Sequence, residues 1–203
     1  MFLRNVVLPL FLVGCAKTTP LPAVESRPTS FEAEDLVGVW RSGCVDPGNG
    51  QGITLDFDLD AKDWQLDYAV HVDSTCGAPF LTVHIAGPYE LGPASSIVEG
   101  AREGTFRFST KGVTPYTEAA VDFLASAEGC NRDDFGVTQE SNLAPGCPGL
   151  GQYPIQECDT DYDVVRLDSD GLRFGARPAD NNMCTPQTRP TELSDVFLAA
   201  DEA

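Results

Sequence analysis

Hydrophobic and polar positions alternate with a period of two through most of this chain. Ile53, Leu55, Phe57 and Leu59 share one parity, with Thr54, Asp56 and Asp58 on the other; after Asp60-Ala61-Lys62-Asp63 the alternation resumes at Trp64, Leu66, Tyr68, Val70 and Val72. Successive strand side chains point to opposite faces, so this pattern predicts a hairpin with one apolar face. Leu81, Val83, Ile85, Tyr89 and Leu91 keep one parity in the next strand or strand pair. Gly87-Pro88 is expected to interrupt it or lie at an edge, because proline brings no N–H to a ladder. Phe106 and Phe108 alternate likewise, and "YDVVRLDSDGLRFGAR" predicts a last hairpin whose turn uses positive φ at Gly171.

One stretch has a helical period instead. In "TPYTEAAVDFLASAEGC", Tyr116, Ala119/Ala120, Phe123, Leu124 and Ala127 recur at helical spacing. Thr114 suits the cap, Pro115 the first helical position and Gly129 the end, which predicts one amphipathic helix over 115–128. "TELSDVFLAA" predicts a short helix begun at Thr191 or Ser194, and 194–203 an acidic C-terminal tail. Many short strands with one helix predict a mainly β fold, an antiparallel barrel or sandwich; barrel closure removes exposed edges.

Seven cysteines add a second kind of information. Cys44, Cys76, Cys130, Cys147, Cys158 and Cys184 are spread through the body, and in an exported chain they predict three disulfides. Spacing alone leaves the connectivity open, with Cys44–Cys76 favoured because their segments lie close in sequence at strand ends. No Cys-x-x-Cys occurs and the only histidines are His71 and His84, so no metal site is predicted.

Cys15 stands apart. Arg4 precedes an apolar run, Val6–Val13, far shorter than the ~20 residues that cross a bilayer, and the pattern is that of a secretory signal. The run closes with Leu12-Val13-Gly14-Cys15, which resembles the bacterial lipobox. The resemblance implies a signal peptide over 1–14, cleavage before Cys15, and acylation of its thiol. Several acyl chains, at about 0.8 kcal/mol per buried CH₂, would hold the chain firmly to a membrane. Residue 16 is Ala rather than the Asp of inner-membrane retention, so the implied address is the cell envelope, lipid-anchored, at the outer membrane. Residues 15–34 hold three prolines and few large apolar side chains, and are expected to be a tether. The folded domain is then expected over 35–193.

Charge narrows the function. Thirty-one acidic against 13 basic residues give a formal net charge of −18, which repels phosphate backbones and excludes nucleic-acid binding. No Gly-x-Ser-x-Gly, His-Glu-x-x-His or phosphate-cradling glycine loop occurs, so neither an enzyme nor a cofactor is predicted. A glycosidase carboxylate pair needs no local motif and is the one hydrolytic class this does not address. Asp56, Asp58 and Asp60 form a carboxylate row that could attract Ca²⁺, although a solvated strand face explains it with less. "DTDYD" and "DSDG" lack the glycine and distal glutamate of an EF-hand. His71 and His84 lie opposite the apolar parity and are expected to face outward.

The first strand reads "LVGVWRSGCV", and Gly38-x-Trp40 looks like the lipocalin signature. The wider series is Gly38-x-Trp40-x-Ser42-x-Cys44, Trp64 and Tyr68 in a hairpin, Asp73-x-x-Cys76-x-x-Pro79-Phe80-Leu81-Thr82, Gly87-x-Tyr89-x-Leu91-Gly92, and a helix ending near Cys130. It resembles the ectodomain repeat of the adenomatosis polyposis coli down-regulated family over about 36–130, in one copy where animal members carry two and a transmembrane helix. The resemblance implies a disulfide-stapled, lipocalin-like barrel whose hydrophobic cavity takes a lipid or acyl chain. Cavity candidates are Trp64, Leu66, Tyr68, Phe80, Val83, Ile85, Tyr89, Phe106 and Phe108; the same side chains would fill a solid core equally well. Trp40 would close the barrel, packed beneath Arg166 or Arg173 through a cation–π contact. Two functions stand: an outer-membrane-anchored module binding a hydrophobic or lipid ligand, or a non-enzymatic interaction domain with a filled core that docks another envelope protein.

Overall fold

The computed structural model of the chain describes residues 31–130 and 135–201. The lipobox, Cys15 and most of the expected tether lie outside the described residues. Among the described residues the strands are β1 Gly38–Ser42, β2 Gly52–Leu59, β3 Asp63–His71, β4 Pro79–Ala94, β5 Arg102–Arg107, β6 Thr110–Pro115, β7 Ser141–Asn142, β8 Thr160–Asp168, β9 Gly171–Phe174 and β10 Leu198–Ala200, with one α-helix, α1 Glu118–Ser126. Eight strands close an antiparallel barrel in the order β3-β2-β1-β10-β9-β8-β5-β4, with β4 returning to β3. Among the described residues the fold is therefore mainly β, a lipocalin-like barrel with one helix and three disulfides.

The predicted hairpins set much of this frame. Phe57 stands opposite Leu66 and Leu59 opposite Trp64 across β2 and β3. A register shift at Val70/His71 then turns Val72 outward, away from the apolar face expected for it. In the β8–β9 hairpin Asp168 faces Gly171, and a Cβ at Gly171 would lie 2.2 Å from the Leu198 carbonyl oxygen.

Gly87-Pro88 neither interrupts β4 nor lies at its edge. The 16-residue strand pairs with β6 through Leu81–Ala86 and with β5 from Tyr89 onward, so Pro88 falls where one neighbour gives way to the next. Gly87 is needed there, because a Cβ would lie 2.1 Å from the Arg107 carbonyl oxygen.

The helix is shorter than expected. Pro115 ends β6 opposite Leu81, and its carbonyl accepts the Thr138 N–H at 2.7 Å. Sheet pairing thus holds the residues expected to start the helix, and Thr117 becomes the cap, accepting the Ala120 N–H at 3.0 Å. Gly129, φ +70°, follows its end.

Both ends of the domain extend beyond their expected bounds. Phe31 is buried, and Arg102 donates to its carbonyl at 2.6 Å, so the short 3-10 turn Ala33–Leu36 packs onto the barrel instead of belonging to a tether. At the other end, no helix forms at 191 or 194, and Leu198–Ala200 are not tail. They are β10, which pairs with β1 and β9 and closes the barrel. Without β10, the edges of β1 and β9 would be left open, and that pairing outweighs the weak local helix pattern.

The disulfides are Cys44–Cys76, Cys130–Cys147 and Cys158–Cys184. The first is the pairing the spacing favoured. It ties the chain beyond β1 to the β3–β4 connection; the others pin the segments that follow α1 and β9. Each typically contributes about 2–4 kcal/mol. Among the described residues, no helix is long and apolar enough to cross a membrane.

Candidate ligand cavity

The inward parity of the strands encloses a cavity of about 430 Å³. This is within the usual range for small-molecule sites, about 300–1,000 Å³. Seven of the nine expected side chains line it: Trp64, Leu66 and Tyr68 from β3, Val83 and Ile85 from β4, and Phe106 and Phe108 from β5 and the bend after it. Leu55 and Phe57 of β2 extend the same wall.

Phe80 and Tyr89 are elsewhere. Phe80 has the opposite parity to Leu81 and Val83, and its ring packs 6.0 Å from Phe123 of α1. Tyr89 has the inward parity but belongs to the filled end of the barrel, stacked 5.5 Å from Phe106 with its hydroxyl donating to the Asp60 carbonyl at 2.9 Å. Burial, with Asp60 and Glu34 nearby, pushes its phenol up to about 12, so it acts there as a neutral donor. The interior is therefore packed with aromatics in part and hollow in part.

Trp40 stands opposite Phe57 in the β1–β2 ladder, buried and outside the cavity lining. Its Nε1–H donates to the Leu36 carbonyl at 2.8 Å. The arginine expected over it is not Arg166 or Arg173. Those two pair with each other across β8 and β9, one residue out of step with inward-facing Val165 and Phe174. Arg173 lies over Phe197 at 5.6 Å, and Arg166 donates to Asp168 at 3.0 Å.

Sequence patterning missed the charged part of the cavity. Lys111 of β6, Asp161 and Asp163 of β8, and Arg177 beyond β9 all line it. Asp161 stands opposite Phe106 in the β5–β8 ladder and shares its inward face with Asp163 and Val165; that shared parity was the available signal. Asp161 and Lys111 are each 5% exposed. Arg177 donates to Asp161 at 2.5 Å and to Asn181 at 2.7 Å, with 44% of its side chain still exposed.

Asp163 answers a backbone need. At Gly175, directly after β9, the pairing with β8 ends, and the Asp163 Oδ1 accepts the freed Gly175 N–H at 2.9 Å together with the Val164 N–H at 2.7 Å. Burial pushes this carboxyl up to about 7 against the pull of Arg177 and the two N–H donors. Lys111 is displaced the other way: burial pushes its ammonium down to about 8, with Asp161 opposing. Its Nζ donates to the Tyr153 carbonyl at 3.3 Å and sits 3.9 Å above the Phe108 ring. Burial also raises the Tyr68 phenol, while Arg177 lowers it.

Two members of the candidate calcium row, Asp56 and Asp60, have other partners. Asp56 faces Arg41 at 3.5 Å, and Asp60 accepts the Lys62 and Asp63 N–H groups at 2.7 Å, which hold its carboxyl below the usual range. Among the described residues, no group of three or more His, Cys, Asp or Glu is placed to hold a metal ion. His84 bonds Asp67 at 2.6 Å, and His71 bonds Thr54 at 3.1 Å while its Nδ1 is buried without a partner.

Together, fold and cavity define a disulfide-stapled, lipocalin-like β-barrel compatible with ligand binding. Comparison with protein-family models finds no match, and comparison with curated proteins finds no relative.

Proposed function

We propose that this protein is a lipid-anchored lipoprotein of the outer membrane whose barrel binds a hydrophobic or lipid ligand. The observation that carries the reading is the cavity itself, about 430 Å³ and walled largely by Trp64, Leu66, Val83, Ile85, Phe106 and Phe108. Binding would draw on apolar surface removed from water, at about 25 cal/mol per Å². Support for the anchor comes from the sequence Leu12-Val13-Gly14-Cys15. Kinship with the adenomatosis polyposis coli down-regulated ectodomain is part of the proposal; the Trp40 strand and the Cys44–Cys76 bond are compatible with it. No catalytic step is assigned.

The test is native mass spectrometry of the protein isolated from its own envelope. A lipid-mass adduct that leaves on denaturation, together with an acylated N-terminal peptide beginning at Cys15, is the expected result. A bare mass that accepts no added amphiphile would instead favour an interaction domain working through its exterior.

A further inference from the structure

Lys111 is a feature that holding an apolar ligand does not require. It enters from β6 opposite Ile85, is 5% exposed and lines the cavity. An ammonium has three N–H donors. Here they meet one carbonyl at 3.3 Å and the Phe108 ring. Among the described residues no carboxylate lies within ion-pair distance of its Nζ. Asp161 is engaged by Arg177, and the Asp163 Oδ1 is occupied by two backbone N–H groups. Burying an ammonium without a counter-ion is unfavourable, and a hydrophobic residue at 111 would avoid that penalty.

We propose that Lys111 is the head-group anchor of the cavity, and that the ligand is an amphiphile with a carboxylate head on Lys111 and an alkyl body along Leu66, Val83, Ile85 and Phe106. The inference rests on reading the cavity as a ligand site. Charge supports its sign. Arg177 is paired with Asp161, which leaves Lys111 as the buried cation without an ion-pair partner. A carboxylate head supplies that counter-ion. A cationic head would face two cations, and a neutral head would leave the ammonium without its counter-ion.

The experiment uses the mature chain from Ala16 onward, exported behind a signal peptide that adds no lipid, so that every described residue is retained. Dodecanoate, dodecanol and dodecyltrimethylammonium are titrated at pH 7, with the emission of cavity-lining Trp64 as the signal. Dodecanoate is expected to bind about tenfold or more tighter than dodecanol, the scale of a charge-assisted hydrogen bond. Lys111→Met removes that preference and leaves dodecanol binding within about twofold. In the unaltered protein the preference fades as pH rises through about 8, a readout that needs no variant. Equal binding of acid and alcohol, tightest binding of the cation, or a preference that survives Lys111→Met overturns the anchor and leaves the cavity reading standing. No binding of any probe overturns both.

Discussion

Asp163 and Gly175 meet where the β8–β9 ladder ends, the Asp163 Oδ1 accepting the Gly175 N–H at 2.9 Å. One buried carboxyl thereby replaces the strand partner that Gly175 loses. Its folded-state value of about 7 stands above the ordinary 3.8, so the folded state holds the proton more tightly. The stabilisation from that proton is complete below about pH 4 and is lost as pH rises through about 7. Asp163→Asn keeps an acceptor and removes the charge. It is expected to match the unaltered protein near pH 4 and to exceed it by up to a few kcal/mol above pH 7. Urea unfolding at both pH values checks this; equal stability at high pH would refute it.

Lys111 gives the opposite slope. Burial lowers its ammonium from 10.5 to about 8, so the unfolded chain binds the proton more tightly. The penalty is complete below pH 8 and lifts as pH rises towards the ordinary lysine value. Lys111→Met is expected to stabilise the unliganded protein at pH 7 by about 1–3 kcal/mol, with the gain shrinking above pH 8. A residue that weakens the empty barrel yet anchors a ligand exchanges stability for function. A loss of stability in Lys111→Met at pH 7 would contradict this account.

What the sequence showed follows from how local each signal is. The β2–β3 and β8–β9 hairpins were legible because period and turn lie within one short stretch. Strand β10 was not, because Leu198-Ala199-Ala200 has no useful period and its partners, Trp40 and Leu172, are remote in sequence. The start of α1 was misplaced because Pro115 suits a helix as well as the end of β6, and only its Leu81 and Thr138 contacts decide. The apolar inward face was readable from parity, which does not distinguish a cavity wall from a filled core. The charged members of the cavity were missed because polar residues on a strand are read as solvated, although Asp161 and Asp163 share the parity of Val165, and Lys111 stands opposite inward-facing Ile85 only through a pairing that the sequence does not show.

Trp40 tests the packing at the start of the barrel. The side chain is buried and its indole N–H serves the Leu36 carbonyl. Trp40→Ala removes both and is expected to lower stability by about 3–5 kcal/mol. Trp40→Phe keeps most of the apolar surface and forfeits the hydrogen bond, so a smaller loss of about 1–3 kcal/mol is expected. Chemical denaturation separates the two variants, and an unchanged midpoint in Trp40→Ala would remove the structural role.

The last three-residue strand carries more than its length suggests. Ala200 pairs with Trp40, Leu198 pairs with Leu172, and Leu198 is almost fully buried. Arg41 also reaches Asp201 beyond the strand. Ending the chain after Phe197 therefore deletes a buried leucine and exposes the facing edges of β1 and β9, where another chain can pair. Loss of the leucine side chain alone, as in Leu198→Ala, is expected to lower stability by about 2–5 kcal/mol, and truncation by more. Gly171→Ala offers an independent check, because its Cβ would press on the Leu198 carbonyl oxygen from 2.2 Å and force β9 and β10 apart. All three changes should lower the melting temperature, with truncation also promoting self-association measured by light scattering. If truncation after Phe197 leaves the melting temperature unchanged, 198–200 is a tail and the barrel closes without it.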